Sequence, residues 1–420
     1  MTIYKQEGLF SALYYLNYRY LCLSTLGTAT VVAVEQVVLG WFILQLTNSP
    51  SLVGAIAAVR FTGMGLAPLG GALADRFNRR NILFILQCGG MVYASILMLL
   101  YYTGWLQVWH VFAVALFSGV VRGFDHTTRQ TIIPDLTEGR YLTSATGLIM
   151  VSQGLTAVIG ALASGYLFEI AGAGGCFAVM TTAFLFAGVA LLPIQPGGEK
   201  RIAAKQSVWQ STAEGARYIT RDRGLSALIL LAAIANLCAF PCTIGIMAVF
   251  ARDVLHIGAD GLGLIMAAEG LGGLVGALFL SSLGGFRHKG WLLVGVALAW
   301  PGLLAAFSFF RAMPVALTVI AIAGIARGMD MALIQLLLFA WSEAGLRGRV
   351  MGVRMFVIIT LMFGNFLSGL GAAEWGSANV MLVNASAGIL TTLATIFWAP
   401  HLYRRPEQIK ILASKEAARV

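Results

Sequence analysis

Long apolar stretches alternate with short polar connectors along nearly the whole chain. A helix needs about 20 apolar residues to cross roughly 30 Å of hydrocarbon, and twelve stretches approach or exceed that length. We expect their ends to be placed to within about two to four residues. The predicted membrane helices, named spans 1 to 12, are 20–46, 52–73, 82–102, 108–127, 142–168, 175–193, 225–250, 262–283, 291–310, 315–340, 353–373 and 380–398.

The composition supports this pattern. Of the 420 residues, 59% are hydrophobic and 11% are charged, whereas a soluble domain has about 25% charged residues, so soluble folds are excluded. A net charge of +10 would suggest nucleic acid in a soluble protein. Here the basic residues fall in alternate loops, and the opposite loops have only Arg252 and Arg311. This asymmetry predicts no nucleic-acid partner and places both termini in the cytoplasm of a bacterial inner membrane.

One sizeable polar segment interrupts the apolar pattern, at 195–224. It opens with Pro196, and its later part predicts a surface helix at 208–220 with Trp209 and Tyr218 toward lipid. The predicted organisation is a six-helix bundle at 1–194, a cytoplasmic central loop at 195–224, a second six-helix bundle at 225–400 and a cytoplasmic tail at 401–420.

The two halves are internal copies. Residues 119–125 (GVVRGFD) of span 4 match residues 324–330 (GIARGMD) of span 10. In the same register, Gln130 matches Gln335. Parallel repeats of this kind build transporters whose substrate site lies between the halves near the bilayer midplane. The predicted fold is therefore an all-α membrane protein with twelve transmembrane helices arranged as two pseudo-symmetric six-helix bundles.

Spans 2 and 8 also align, and they place two charges at matching positions within apolar sequence. Gly54 aligns with Gly263, and Arg60 aligns with Glu269. A charge at the centre of a spanning helix costs at least a few kcal/mol, so a partner or a function is expected for each.

Glu35 of span 1 is the expected partner of Arg60. Both lie about 15–18 Å from the turn at 47–50, at roughly 1.5 Å rise per residue. Antiparallel neighbours would then place them at the same depth as an ion pair. The pair is either structural or one that opens when a proton or substrate binds.

Glu269 has no evident basic neighbour inside its apolar stretch. A buried carboxylate without a cation favours its neutral form, so Glu269 could load and release a proton near neutral pH. Two alternatives remain: a carboxyl held neutral by hydrogen bonds, or one that meets Arg60 across the halves.

Two further charge pairs lie within the matching segments of spans 4 and 10. Arg122 and Asp125 are three residues apart, as are Arg327 and Asp330, so each pair is predicted to bond internally on one helix face. Protonation of Asp125 would then release Arg122. Salt bridges that hold loops in place are the alternative.

Several weaker candidates lie inside the spans. Polar or amphipathic side chains could line a cavity or form helix–helix hydrogen bonds: Gln36, Asn236, Trp300, Gln335 and Asn365. Small residues at 160–165 of span 5 predict a close approach to span 8, where Gly270, Gly272, Gly273 and Gly276 would supply the matching surface. Cys238 and Cys242 lack neighbouring histidines or acids, so no metal site is expected.

The connector at 71–80 (GALADRFNRR) resembles the loop between spans 2 and 3 of the major facilitator superfamily. Segments 41–54, 129–136, 249–255 and 346–352 are similar to its bacterial siderophore, macrolide and drug exporters. The resemblance implies that Arg122 couples to protons. Segment 160–165 is similar to the glycine-rich antiporter motif, with Ala161 at the usual proline position.

The same connector predicts a cytoplasmic gate, because acids and bases at helix ends can bond in one state and part in the other. The residues expected to form it are Asp75, Arg76, Arg79 and Arg80, with Arg347 and Arg349 as partners in the second half. An ordinary solvated basic loop is the alternative.

These features predict a monomeric secondary transporter that exports a siderophore-like or drug-like organic molecule in exchange for protons, without a cofactor. No nucleotide-binding motif is present in the sequence, so an ion gradient would supply the energy. Uptake and lipid or lysolipid flipping on the same fold are the alternatives. An intramembrane enzyme is disfavoured because no nucleophile–base cluster occurs, and a channel because no filter-like loop interrupts a span.

Overall fold

A computed structural model describes residues 10–66, 77–137, 141–195, 208–283, 288–343, 345–400 and Leu402. These residues form helices and connecting turns, with no strand among them. The helices of spans 1 to 6 are Leu16–Thr47, Pro50–Met64, Arg79–Tyr102, Val108–Leu136 and Leu142–Leu191, the last containing spans 5 and 6. Those of spans 8 to 12 are Ala259–Ser282, Lys289–Phe307, Met313–Trp341, Arg347–Phe356 with Ile359–Trp375, and Ser377–Trp398.

The helix lengths agree with twelve spans. Among the described residues, 10 helices are long and apolar enough to cross a membrane, and Pro50–Met64 is a shorter apolar helix. One of the ten lies in the helix Leu142–Leu191, which has 50 residues and is broken at Gly172, where φ is 63°. At about 1.5 Å per residue it is long enough for two crossings. The all-α membrane fold is confirmed.

Local sequence explains several helix boundaries. Asn78 begins span 3, where its side chain accepts a hydrogen bond from the Arg80 N–H at 3.0 Å. Asp222 begins span 7 in the same way, accepting from Gly224 N at 2.7 Å and Leu225 N at 3.2 Å. Each side chain satisfies backbone donors that the first helical turn leaves without partners.

Span 7 is irregular in its middle. It runs as α-helix Arg223–Ile234, then as π-helical segments Ala235–Ala239 and Pro241–Gly245, and ends as α-helix Met247–Asp253. Pro241 has no backbone N–H to donate, so the regular hydrogen-bond ladder cannot continue through it. The wider turns therefore lie at the proline.

The chain forms two compact units. Unit 1 comprises Met1–Thr47, Val59–Lys205 and Gly258–Ala267. Part of its core contains Tyr18, Leu21, Leu83, Ile132 and Leu191, each almost fully buried. Span 4 extends to Leu136 rather than ending near residue 127, because its last turns place Ile132, Ile133 and Leu136 in this core.

Unit 2 comprises Asn48–Ala58, Gln206–Ile257 and Ala268–Val420. Its core includes Leu225, Leu228, Leu293 and Leu333. The surface helix is present as Val208–Arg221. Tyr218 packs against this core, and its hydroxyl accepts a hydrogen bond from Glu343 N at 3.3 Å, so the predicted orientation of Tyr218 toward lipid is wrong. The side chain of Trp209 lies outside the described part.

Each unit contains a short segment from the other half of the sequence, and a glycine lies at each contact. In unit 2, a Cβ on Gly54 would overlap with the backbone of Asn365 and Gly369. In unit 1, a Cβ on Gly263 would overlap with the backbone of Ala161 and approach that of Gly165. The predicted domain boundary at 195–224 stays a prediction.

Glycines also bring equivalent helices together in the two units. A Cβ on Gly119 would overlap with the carbonyl oxygen of Arg60, and a Cβ on Gly324 would overlap with that of Glu269. Gly119 matches Gly324 in the sequence repeat, and Arg60 matches Glu269. The same backbone contact therefore recurs at the repeated positions.

The glycines of span 8 face a different helix from the one predicted. Cβ atoms on Gly272, Gly273 and Gly276 would meet span 10, at Ala321, Arg327 and Ile325 respectively. The contact of span 5 with span 8 is made instead by Gly165, against Ala259 and Gly263.

We expect Gly119→Ala to destabilise the protein by about 1–3 kcal/mol, because the added methyl group forces spans 2 and 4 apart. Gly89→Ala is the control within the same unit, since its Cβ would lie 3.5 Å from the Phe117 ring, an ordinary contact. Thermal unfolding in detergent would measure both variants. Equal melting temperatures for the two would show that the contact tolerates separation.

Candidate functional site

Glu35 is the centre of a buried polar cluster in unit 1. Its side chain is 3% exposed. The Tyr93 hydroxyl donates a hydrogen bond to Glu35 Oε1 at 2.6 Å, and Arg60 Nε lies 3.9 Å from Glu35 Oε2. The predicted Glu35–Arg60 pair is confirmed. Arg60 Nε makes no hydrogen bond among the described residues, so the pair is a loose one.

Arg122 adds a second positive charge to this cluster. It is partly buried and interacts electrostatically with Arg60, Glu35 and Tyr93. A cavity of about 40 Å³ is lined by Glu35, Tyr93, Arg122 and Asp125. Since a water molecule needs about 10–15 Å³ by this measure, the cavity accommodates a few waters next to the carboxylate.

Asp125 bonds to partners other than the one predicted. Arg129 Nε donates to its Oδ2 at 2.7 Å, and Gln87 Nε2 donates to its Oδ1 at 2.8 Å. The expected internal pairing with Arg122 is therefore wrong. On a helix, the fourth residue along is as well placed as the third, and Arg129 is additionally held by span 1.

Arg129 is buried, although it lies beyond residue 127, where span 4 was predicted to end. Its Nη1 donates to Thr25 Oγ1 at 3.1 Å and its Nη2 donates to Ser24 Oγ at 3.0 Å. Its side chain is 4% exposed. Its i, i+4 spacing from Asp125 was the available signal. It therefore links span 4 to span 1 through two hydrogen bonds, and a third hydrogen bond joins it to Asp125 within span 4.

Unit 2 contains a corresponding ion pair. Arg327 Nε lies 3.1 Å from Glu269 Oε1. The two atoms are not aligned as a hydrogen bond, and each is without such a partner in the described structure. Glu269 is 6% exposed, while the Arg327 side chain is 26% exposed. The expectation that Glu269 lacks a basic neighbour is wrong, because that neighbour comes from span 10.

Asp330 is correspondingly not paired with Arg327. It is 2% exposed, and its Oδ1 makes no hydrogen bond within the described ranges. Arg354 of span 11 acts on it electrostatically. Arg354 Nη1 also donates to Gln335 Oε1 at 3.1 Å. The predicted pairing of Arg327 with Asp330 is wrong, because Arg327 pairs with Glu269 of span 8 instead.

A family comparison decides what kind of protein contains these clusters. The model of the transmembrane secretion effector family of the major facilitator superfamily matches residues 8–410. The chain belongs to this family. It is a multi-pass membrane transporter of the major facilitator type. None of the curated proteins matches it in sequence.

Solved structures share the fold of this transporter. A crystal structure of the nucleoside transporter NupG has a TM-score of 0.69 at 13% identity and covers 90% of this chain and 98% of that one. The crystal structure of a bacterial homolog of the human lysosomal transporter Spinster has a TM-score of 0.69 at 16% identity. It covers 94% of this chain and 97% of that one. The crystal structure of PepTSo, a transporter of the POT family, has a TM-score of 0.69 at 12% identity. It covers 93% of this chain and 99% of that one. At these identities the likeness shows the fold alone.

Of the weaker cavity candidates, three form hydrogen bonds and one lines a cavity. Asn236 Nδ2 donates to Val357 O at 3.2 Å, and Asn365 Nδ2 donates to Leu361 O at 2.8 Å. Gln335 accepts from Arg354 as described above. Trp300 lines a small cavity in unit 2. Gln36 is partly buried and does not line either of the two cavities described.

The gate residues are only partly described. Asp75 and Arg76 lie outside the described residues. Arg79 forms an ion pair with Asp135 of span 4, and Arg80 donates to the carbonyls of Leu191 and Leu192 at 3.1 and 2.8 Å. Arg347 Nε donates to Phe339 O at 3.1 Å, and Arg349 Nη1 lies 2.8 Å from Glu214 of the surface helix. The gate itself stays a prediction.

Proposed function

We propose that this transporter exports a siderophore-like or drug-like organic molecule in exchange for protons by alternating access. The observation that supports coupling is the pair of buried carboxylates, Glu35 and Glu269, each of which forms an ion pair with an arginine. Within each pair an arginine nitrogen remains without a hydrogen bond. Both pairs involve the repeat-related positions Arg60 and Glu269.

Such pairs are suited to respond to protons. Protonation neutralises the carboxylate and leaves its arginine as an uncompensated charge, which is strongly unfavourable for the buried Arg60 and less so for Arg327, whose side chain is 26% exposed. The arginine must then find another partner, such as an anionic group of a substrate or a second carboxylate. Arg122, next to Glu35 and Arg60 in unit 1, would likewise lose a compensating charge and change partner when Glu35 is protonated.

The outward direction is supported by the family, whose description is that of secretion effectors. The substrate class is supported by the resemblance of segments 41–54, 129–136, 249–255 and 346–352 to siderophore, macrolide and drug exporters. We place the protein as a monomer in a bacterial inner membrane with both termini in the cytoplasm. The gate of Asp75, Arg76, Arg79 and Arg80 with Arg347 and Arg349 belongs to the same proposal.

The test is transport by purified protein in vesicles with an imposed pH gradient. Inside-out vesicles should accumulate a labelled siderophore or macrolide when the lumen is acidic, and a protonophore should stop the accumulation. Accumulation that ignores the gradient would contradict proton coupling. Accumulation only in right-side-out vesicles, or transbilayer movement of a labelled lysolipid instead, would replace export by uptake or lipid flipping.

A further inference from the structure

A second cavity lies inside unit 2, away from the Glu269–Arg327 pair. It is bordered by spans 7, 9, 10 and 12, through residues that include Cys238, Trp300, Asp330 and Thr392. Its volume is about 20 Å³. A buried water molecule needs about 10–15 Å³ by this measure, so the space fits a single water.

Two side chains that line this cavity have unsatisfied polar atoms. Trp300 is 1% exposed and Asp330 is 2% exposed. Trp300 Nε1 and Asp330 Oδ1 each have no hydrogen-bond partner among the residues described. A buried polar group without a partner costs about 1–3 kcal/mol, so a ligand that satisfies both would be bound favourably.

The chemistry of the two atoms selects the ligand. The indole N–H only donates, so its partner must accept, whereas an ionised carboxylate only accepts, so its partner must donate. A water molecule does both. A cation would face the positive end of the indole N–H bond. Thr392, 2% exposed, lines the same space with a hydroxyl that can supply a third hydrogen bond, as buried waters commonly have.

We infer that this cavity binds one water molecule, which accepts a hydrogen bond from Trp300 and donates one to Asp330, and that this water delivers protons to Asp330. In the transfer, the water gives a proton to Asp330 Oδ1 as it takes one from a hydronium ion outside the cavity, which leaves neutral water in the cavity and a neutral carboxyl group. The charged group acting on Asp330 is Arg354 of span 11. Cys238, Trp300 and Thr392 face the cavity as uncharged side chains. The proton-loading role rests on the proposed coupling, but the water site does not.

Gly388 permits a direct test of the water. It lines the cavity, and a Cβ added there would lie 3.4 Å from Cys238 Cβ and 3.5 Å from Pro301 Cβ, both ordinary contacts. Gly388→Ala therefore fills the space without displacing its neighbours. Gly302→Ala on span 9 is the matched control, because its Cβ would meet nothing within 4 Å.

Radiolytic hydroxyl-radical labelling with mass spectrometry measures the water, because a bound water is converted to radicals beside its neighbours. We expect Trp300 to be labelled promptly in the wild type and in Gly302→Ala, and several times more slowly in Gly388→Ala. Equal labelling of Trp300 in all three proteins would overturn the water site.

Infrared difference spectra between low and high pH measure whether the Asp330 carboxyl group takes up a proton. We expect the wild type to show a neutral-carboxyl band. This band should be absent in Asp330→Asn and shifted in Gly388→Ala. If Asp330→Asn removes no such band, Asp330 takes up no proton, even if pH-driven transport persists. If transport ignores the pH gradient while Trp300 labelling is as expected, the proposed function fails and the water site stands.

Discussion

Glu269→Gln is expected to abolish pH-driven efflux while leaving counterflow partly intact. Glutamine has nearly the shape of glutamate but cannot bind and release a proton at this position. In the proposed mechanism, efflux against a gradient requires that proton exchange, whereas counterflow requires only that substrate be exchanged across the bilayer. Arg327, 3.1 Å from the carboxylate in the native protein, would lose its charged partner. The measurement is labelled-substrate transport in vesicles under both conditions.

The control for this variant is Glu374→Gln, the same change at an exposed position at the end of span 11. It should transport as the wild type does. Elution of Glu269→Gln as a monodisperse peak in detergent would show that lost efflux is not lost folding. Unchanged pH-driven efflux in Glu269→Gln would remove Glu269 from the coupling mechanism.

Arg129→Leu should lower the free energy of unfolding by about 3–5 kcal/mol, the usual cost of removing one partner of a buried ion pair. The change deletes the bonds to Asp125, Ser24 and Thr25, and leaves Asp125 with Gln87 alone. The Asp125 side chain is only 14% exposed, so bulk solvent compensates little of the lost charge. Thermal unfolding in detergent would measure the loss.

Arg252→Leu is the matched control. Arg252 pairs with the adjacent Asp253 at 2.6 Å, but the two side chains are 31% and 41% exposed. Exposed pairs contribute about 0–1 kcal/mol, so this variant should unfold close to the wild-type temperature. Adding Asp125→Asn to Arg129→Leu should recover part of the stability by removing the uncompensated charge. No recovery in the double variant would show that the hydroxyl contacts, rather than the charge, account for the effect.

The repeat in the sequence predicted more of the site than the spacing of its charges did. The alignment of Arg60 with Glu269 and of Gly119 with Gly324 placed the equivalent positions correctly. Gly119 contacts the carbonyl oxygen of Arg60, and Gly324 contacts that of Glu269. Depth from the turn at 47–50 also gave Arg60 its partner Glu35. The repeat alignment and the equal depth of Glu35 and Arg60 were both informative, because few arrangements of antiparallel helices satisfy either one.

Partner choice within spans 4 and 10 was not predictable in this way. A helical residue has neighbours at i+3 and i+4 and on several adjacent helices, and the sequence does not rank them. Asp125 bonds Arg129 because span 1 supplies hydroxyls for the other guanidinium nitrogens. Arg327 lies against Glu269 because glycines such as Gly273 and Gly324 bring spans 8 and 10 together.

The sequence by itself determined the class of fold, because a bilayer requires long apolar helices and tolerates few charges away from their ends. It also determined the internal repeat and the family resemblance. The tertiary structure decided which buried charges meet, which glycines lie at helix crossings, and that Trp300 and Asp330 share one small cavity. Those outcomes depend on contacts within 4 Å between residues far apart in the chain, and hydrophobic periodicity specifies only which face of a helix is apolar.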